Sequence, residues 1–245
     1  MANVNAFQPL FGFSVHNYLP SHFNLTRRTA LMSGIGMLAA GCGDSFKIPV
    51  LANLPDAMQY AVFGKPDIPI HRDDITKLPY ATVRAKIGKG ERSLLVLSRY
   101  DGQDLHYLSA DRVAVVTRQG RLVKTAGLPR NIKNTYMNDR DPVSGQLHKL
   151  SPNTRFIRTI DIDAENRYGV PITSVFETIK KVTITILELK FDTLLVRERN
   201  SAQTMRWHFD NYYWADAYDG FIWKSRQHIV KEYPPIDIEV LKPAA

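Results

Sequence analysis

The sequence predicts a mainly β fold: an antiparallel β-sandwich or a partly open barrel, with a short helix on its N-terminal side. Three features carry that expectation. Short alternating or apolar-rich stretches follow one another from Pro79 towards the C-terminus. Glycine turn signals separate several of them, at Asp101-Gly102 and Gln119-Gly120. Ahead of them one segment has a helical period, Leu54 to Phe63.

In that segment (LPDAMQYAVF), Leu54, Met58, Ala61 and Val62 fall near i, i+4, i+7 and i+8. Pro55 suits a first turn, Gly64 a stop, and Pro66 and Pro69 block continuation. Tyr80 to Ile87 alternates, Gly88-Lys89-Gly90 breaks it, and Ser93 to Tyr100 is a compact apolar run. Asp101-Gly102 then turns the chain into Leu105 to Leu108. Arg112 to Arg118 and Arg121 to Thr125 form a second hairpin about Gln119-Gly120, where Gly120 supplies positive φ at little steric cost. Thr154 to Asp163, Val182 to Phe191, Leu194 to Glu198 and Arg206 to Asp210 continue the series. The phase of Val182 to Phe191 changes at Ile186-Leu187, which predicts a bulge or a strand buried on both faces. Thr173 to Lys181 departs from the strand pattern, and the polar Met137 to Pro152 reads as a long exposed loop.

Residues 1–41 read as an export leader. Arg27-Arg28 supply positive charge, and Ala30 to Ala40 form an apolar core too short to span a bilayer. Ala39-Ala40-Gly41-Cys42 resembles a lipobox, with Leu38 one place ahead of its usual position. Cys42 is the only cysteine, so no intrachain disulfide can form and its thiol is available for a lipid. The expected organisation is residues 1–41 as a lipoprotein signal with a long N-terminal extension, 42–50 as a lipidated tether, and 51–245 as a single β-rich domain. Thr26 to Leu31 resembles a twin-arginine signal, so that route and the general secretory route both stay open. In enterobacteria an aspartate directly after the cysteine marks inner-membrane retention. Gly43 stands there instead, which predicts the periplasmic face of the outer membrane.

The net charge is +8, and removing residues 1–41 takes away only Arg27 and Arg28. That balance favours anionic surroundings such as acidic polysaccharide or phospholipid, and a periplasmic address disfavours nucleic acid. His71, His106, His148, His208 and His228 show no ligand spacing, so no metal and no cofactor beyond the lipid on Cys42 is expected. Nucleophile-elbow, dinucleotide-binding and phosphate-loop patterns are missing from the sequence. Polysaccharide chemistry uses paired carboxylates, and Asp101/Asp104, Asp139/Asp141, Asp161/Asp163 and Asp216/Asp219 are the candidates. Most sit beside residues that favour turns.

Trp207, Phe209, Tyr212, Tyr213, Trp214, Tyr218, Phe221 and Trp223 crowd into a short span. Alternation assigns Trp207/Phe209 and Phe221/Trp223 to a core, whereas Tyr212-Tyr213-Trp214 cannot all point inward. Arg112, Arg118, Arg121, Lys124, Arg130 and Lys133 would form a basic stripe on the second hairpin and its exit. The candidate contacts for polysaccharide or a partner are therefore Tyr212, Tyr213, Trp214, Arg121, Lys124 and Arg226.

Two stretches carry a resemblance. One is LVLSRYDGQDLHYLSADRVAVVTRQGRLVKTAGLPRNI, Leu95 to Ile132; the other runs from Tyr213-Trp214-Ala215-Asp216 through Gly220 to Gln227 and ends near Leu241-Lys242-Pro243. In this order, behind a lipobox, they resemble the YjbF/GfcB family of group 4 capsule polysaccharide lipoproteins. The resemblance implies a β-rich periplasmic lipoprotein serving exopolysaccharide or capsule export, without catalytic residues. It points to a non-enzymatic accessory factor whose partners are membrane lipid, acidic polysaccharide and envelope export proteins. A polysaccharide-modifying enzyme using one of the aspartate pairs, or a structural protein-binding lipoprotein, are the alternatives.

Overall fold

The structure, a computed structural model, describes residues 70–145, 147–163 and 166–244. Arg27, Arg28, Cys42 and the helical candidate Leu54 to Phe63 lie outside the described residues. The first described element is a six-residue helix, α1 (Arg72–Lys77). The Asp74 carboxylate accepts the His71 backbone N–H at 3.2 Å, and Asp73 and Asp74 place negative charge at the positive end of the helix dipole. A helix this short is marginal alone. Burial holds it: Ile75 packs in a cluster with Ile186, Leu187 and Leu241.

Twelve strands follow: β1 (Thr82–Ile87), β2 (Arg92–Asp101), β3 (Asp104–Ser109), β4 (Ala114–Arg118), β5 (Arg121–Ala126) and β6 (Ile132–Tyr136), then β7 (Arg155–Ile162), β8 (Arg167–Ile186), β9 (Leu189–Ala202), β10 (Trp207–Asp216), β11 (Ile222–Gln227) and β12 (Ile236–Lys242). They form one antiparallel sheet in the order β5-β4-β3-β2-β1-β12-β11-β10-β9-β8-β7-β6. Two meanders, β1–β5 and β6–β12, are thus joined by the β1–β12 ladder. At the far edges β5 and β6 meet through side chains. Thr125 Oγ1 accepts the Ile132 N–H at 3.1 Å, and Thr135 Oγ1 donates to the Val123 carbonyl at 2.9 Å. The sheet is therefore a nearly closed barrel, the second of the two architectures that the sequence allowed. Closure leaves no long open edge to pair with another chain.

Alternation sets the inner face. On β10, Trp207, Phe209, Asn211, Tyr213 and Ala215 are buried while the residues between them are not. The principal core joins Trp207, Phe209, Ile229 and Ile238 to Val83, Leu95 and Tyr107 from the other meander.

Three expectations are corrected. Thr173 to Lys181 lies within strand β8, where Ser174 and Phe176 alternate inward with exposed neighbours. Val182 to Phe191 is two strands, because the phase change at Ile186-Leu187 is a hairpin turn. Leu187 (φ 44°) and Glu188 (φ 66°) both adopt the left-handed region without a glycine or asparagine to announce it. Tertiary contacts hold this unfavourable backbone: Arg72 Nε donates to the Leu187 carbonyl at 3.0 Å, and Leu187 is buried beneath α1. The stretch Met137 to Pro152 is a loop, but it is not simply exposed. It drives Val143 and Leu147 into a second core beside Phe156, Phe176, Val196 and Tyr213.

The Gln119-Gly120 turn is as expected, with φ of 49° and 91°. A Cβ on Gly120 would lie 2.5 Å from Ile222 Cγ1. Gly120→Val should therefore cost at least about 2 kcal/mol, from left-handed strain and from overpacking against β11. A thermal melt matching that of the unaltered protein would show that the turn relaxes freely.

Candidate functional site

The β7–β10 wall and the β6–β7 loop enclose a charged network, centred on Glu198 of β9. On an inward position between Val196 and Asn200, its carboxylate accepts from Arg121 Nη2 at 3.0 Å, Arg158 Nη1 at 2.8 Å, Asn211 Nδ2 at 2.8 Å and Tyr213 Oη at 3.0 Å. Arg121 is also gripped from the loop by Asp141, through Nε at 2.5 Å and Nη2 at 2.7 Å. Arg158 donates to Ser174 Oγ at 2.6 Å, and Gln227 accepts the Leu122 N–H at 2.9 Å while donating to the Gly120 carbonyl. All four charged side chains are buried. Two cations thus face two anions, with the hydrogen bonds that buried charge requires.

Burial pushes the Glu198 carboxyl up, but Arg121 and Arg158 outweigh it and hold it well below the usual carboxylate range. Burial also raises Tyr213 far above an ordinary phenol, so the hydroxyl stays protonated and donates to Glu198. For Arg158, burial and then the neighbouring Arg121 push the guanidinium down. For Arg121, burial is overcome by Glu198, and the guanidinium is raised. This set braces the wall: each group is consumed by another.

The six candidate contact residues are not brought together. Arg121 and Tyr213 are internal members of the network, which corrects their assignment as external contacts; the inward phase of β5 and β10 points them at the barrel interior. Tyr212 and Trp214 take the outward phase of β10, opposite Arg226 and Lys224 of β11. Lys224 Nζ lies 5.3 Å from the Trp214 ring centroid, and Arg226 is bidentate to Asp237 at 2.6 and 2.8 Å. Lys124 is exposed on β5, at the far edge of the sheet. The proposed basic stripe is broken up as well, since Arg118 pairs bidentately with Asp104 and Arg121 is internal.

Trp223 is not in the barrel core. It lies half-buried on the outer face, 3.9 Å from the Phe191 ring centroid, with Nε1 donating to Asp216 at 3.0 Å. Most of the candidate aspartates serve structure. Asp161 accepts from the Gly169 N–H and Tyr136 Oη, Asp216 from the Tyr218 N–H, and Asp219 from the Phe221 N–H.

Sequence reasoning missed Glu198, Arg158, Asn211 and Gln227. A signal was present for three of them: Glu198, Arg158 and Asn211 share the inward strand phase with apolar residues, as Arg158 does with Phe156 and Ile160.

Two clefts open at the barrel ends. One, of about 670 Å³, lies between the β1–β2 and β3–β4 turns and is lined by Ala85, Leu95, Ser109 and Asp111. The other, of about 560 Å³, lies between the β2–β3, β4–β5 and β10–β11 turns. Strand bulges shape the second. The β2–β3 register shifts between Leu97 and Arg99, so that Tyr100 pairs with Leu105 and lines this cleft.

Residues 55–241 match the family model described as group 4 capsule polysaccharide lipoprotein gfcB, YjbF. The chain belongs to this family. Two Escherichia coli K12 relatives, the uncharacterized lipoproteins GfcB and YjbF, are 25% and 26% identical to it, each over 89% of this chain and 99% of its own length. The crystal structure of the hypothetical lipoprotein YmcC from E. coli K12 shares the fold, with a TM-score of 0.66 at 23% identity, over 84% of this chain and all of that one. Membership of the YjbF/GfcB family associates the protein with the cell envelope and with capsule polysaccharide lipoproteins.

Proposed function

We propose that this YjbF/GfcB-family protein is a non-enzymatic accessory factor of capsule or exopolysaccharide secretion. In this reading a lipid on Cys42 holds it at the periplasmic face of the outer membrane, where the barrel contacts polymer, an export protein or both. The observation that carries it is the family match across residues 55–241. The geometry is in keeping with a binding or scaffolding role: the buried acids and bases neutralise one another, and most of the candidate aspartates hold turns or ion pairs.

Deleting the gene should reduce surface polysaccharide or change its composition. Unchanged export and composition would overturn the role. Anchoring is tested separately by Cys42→Ser. Buried acyl chains contribute roughly 0.8 kcal/mol per CH₂, and more than one chain is needed for durable anchoring, so losing the acylated thiol should release the protein from the outer-membrane fraction. Retention of the variant after a high-salt wash would refute lipid anchoring and leave the barrel's role open to the deletion test.

A further inference from the structure

The cleft between the β2–β3, β4–β5 and β10–β11 turns combines three features. Its floor is largely apolar, with Tyr107, Ile222 and Ile238 buried beside the hydroxyls of Thr117 and Ser225. Its rim holds two aromatic rings that remain in water, Tyr100 at 56% and Phe221 at 37% exposure. The same cleft is lined by the amides of Gln103 and Gln119, 3.5 Å apart, and by Asp219. Exposed rings beside planar amides suit a ligand with one face of C–H groups and an edge of hydroxyls. The C–H face stacks on the ring, and the hydroxyls exchange hydrogen bonds with amide and carboxylate. The bulge in β2 is what aims Tyr100 here, and Ser98 Oγ holds it by donating to the His106 carbonyl at 2.9 Å.

Charge narrows the class further. Among the described residues that line this cleft there is no lysine or arginine, and Asp219 is acidic. An acidic sugar would lose water here without gaining a counter-charge, and would face Asp219 across a poorly solvated floor. The outer-face cations offer no substitute, since Arg226 and Lys224 are paired with Asp237 and Glu239. We infer that this cleft is a saccharide subsite for uncharged sugar units. The inference rests on the polymer-contacting reading above and specifies where, and through which units, contact is made.

The test uses the lipidated full chain in phospholipid nanodiscs and the cell's own surface polysaccharide. The polysaccharide is cut to oligosaccharides and split by anion exchange into neutral and acidic pools. The neutral pool should bind, and Tyr100→Ala and Phe221→Ala should each weaken binding roughly fivefold, the scale of one lost ring contact. Tyr100 is the more exposed ring, so Tyr100→Ala should melt with the unaltered protein, whereas Phe221 also meets the Trp223 ring edge-on at 4.7 Å and its variant should melt slightly lower. Tyr100→Trp should restore binding, with a fluorescence change on addition of the neutral pool. Preference for the acidic pool, or neutral binding that Tyr100→Ala leaves intact, would overturn the subsite. So would failure of both pools to bind; if deletion still abolished surface polymer, the accessory role would stand without the subsite. Binding lost in Tyr100→Ala together with normal export in the deletion strain would keep the subsite and reject the role.

Discussion

Glu198→Gln should destabilise the barrel by about 3–5 kcal/mol at neutral pH, the cost of breaking a buried ion pair by removing one partner. The glutamine keeps the shape but not the charge. Arg121 retains Asp141, whereas Arg158 loses its carboxylate and keeps Ser174 as a neutral acceptor. Denaturant unfolding measures this directly, and an unchanged midpoint would show that the network contributes little. The pH dependence gives a second reading. Glu198 is held below its ordinary value of 4.5 only in the folded protein. Its contribution is complete above that value and is lost progressively as pH falls below it, because the unfolded chain takes up the proton first. The Glu198→Gln variant should therefore lose less stability between neutral pH and pH 3 than the unaltered protein. Parallel curves would assign the acid sensitivity to other carboxylates.

Trp207→Ala should cost about 3–5 kcal/mol, the usual range for truncating a core aromatic. Trp207 is 7% exposed and stacks on Phe209 with ring centroids 3.8 Å apart, so its removal opens a cavity among residues from both meanders. Trp223→Ala is the informative comparison. Its ring covers the outer face near Phe191 and stays partly in water, so the loss should be clearly smaller. Equal shifts in melting temperature for the two variants would mean that the outer cluster around α1 supports the fold as strongly as the barrel interior.

Much of the β framework was legible locally. The turns at Gly102 and Gly120 lie where glycine preceded by a polar residue suggested, and both have positive φ. The Trp207/Phe209 pair is internal, as alternation implied. For Phe221 and Trp223 alternation was not enough, because a period of two says which residues share a face and not which face is inside. The β10–β11 register shift between Trp214 and Ala215 then leaves Ile222 inward and Trp223 on the outer surface. Nor did a run without apolar period signal that Met137 to Pro152 would enter the barrel. Asp141, Val143 and Leu147 are buried there by partners on distant strands.

By itself the sequence determined the β class, the positions of most strands and the two glycine turns, because strand period and turn chemistry act between near neighbours. It also carried the family resemblance that the family match bears out. Tertiary structure decided that the sheet closes on itself, that Leu187 and Glu188 form a turn, and that Arg121 and Tyr213 lie inside the wall. Those outcomes depend on contacts between residues far apart in the chain: Arg121 meets Glu198 across 77 positions, and Arg72 meets Leu187 across 115. No local pattern encodes such a partner. A buried charge or a left-handed leucine is tolerated only once the whole barrel brings its counterpart within hydrogen-bonding distance.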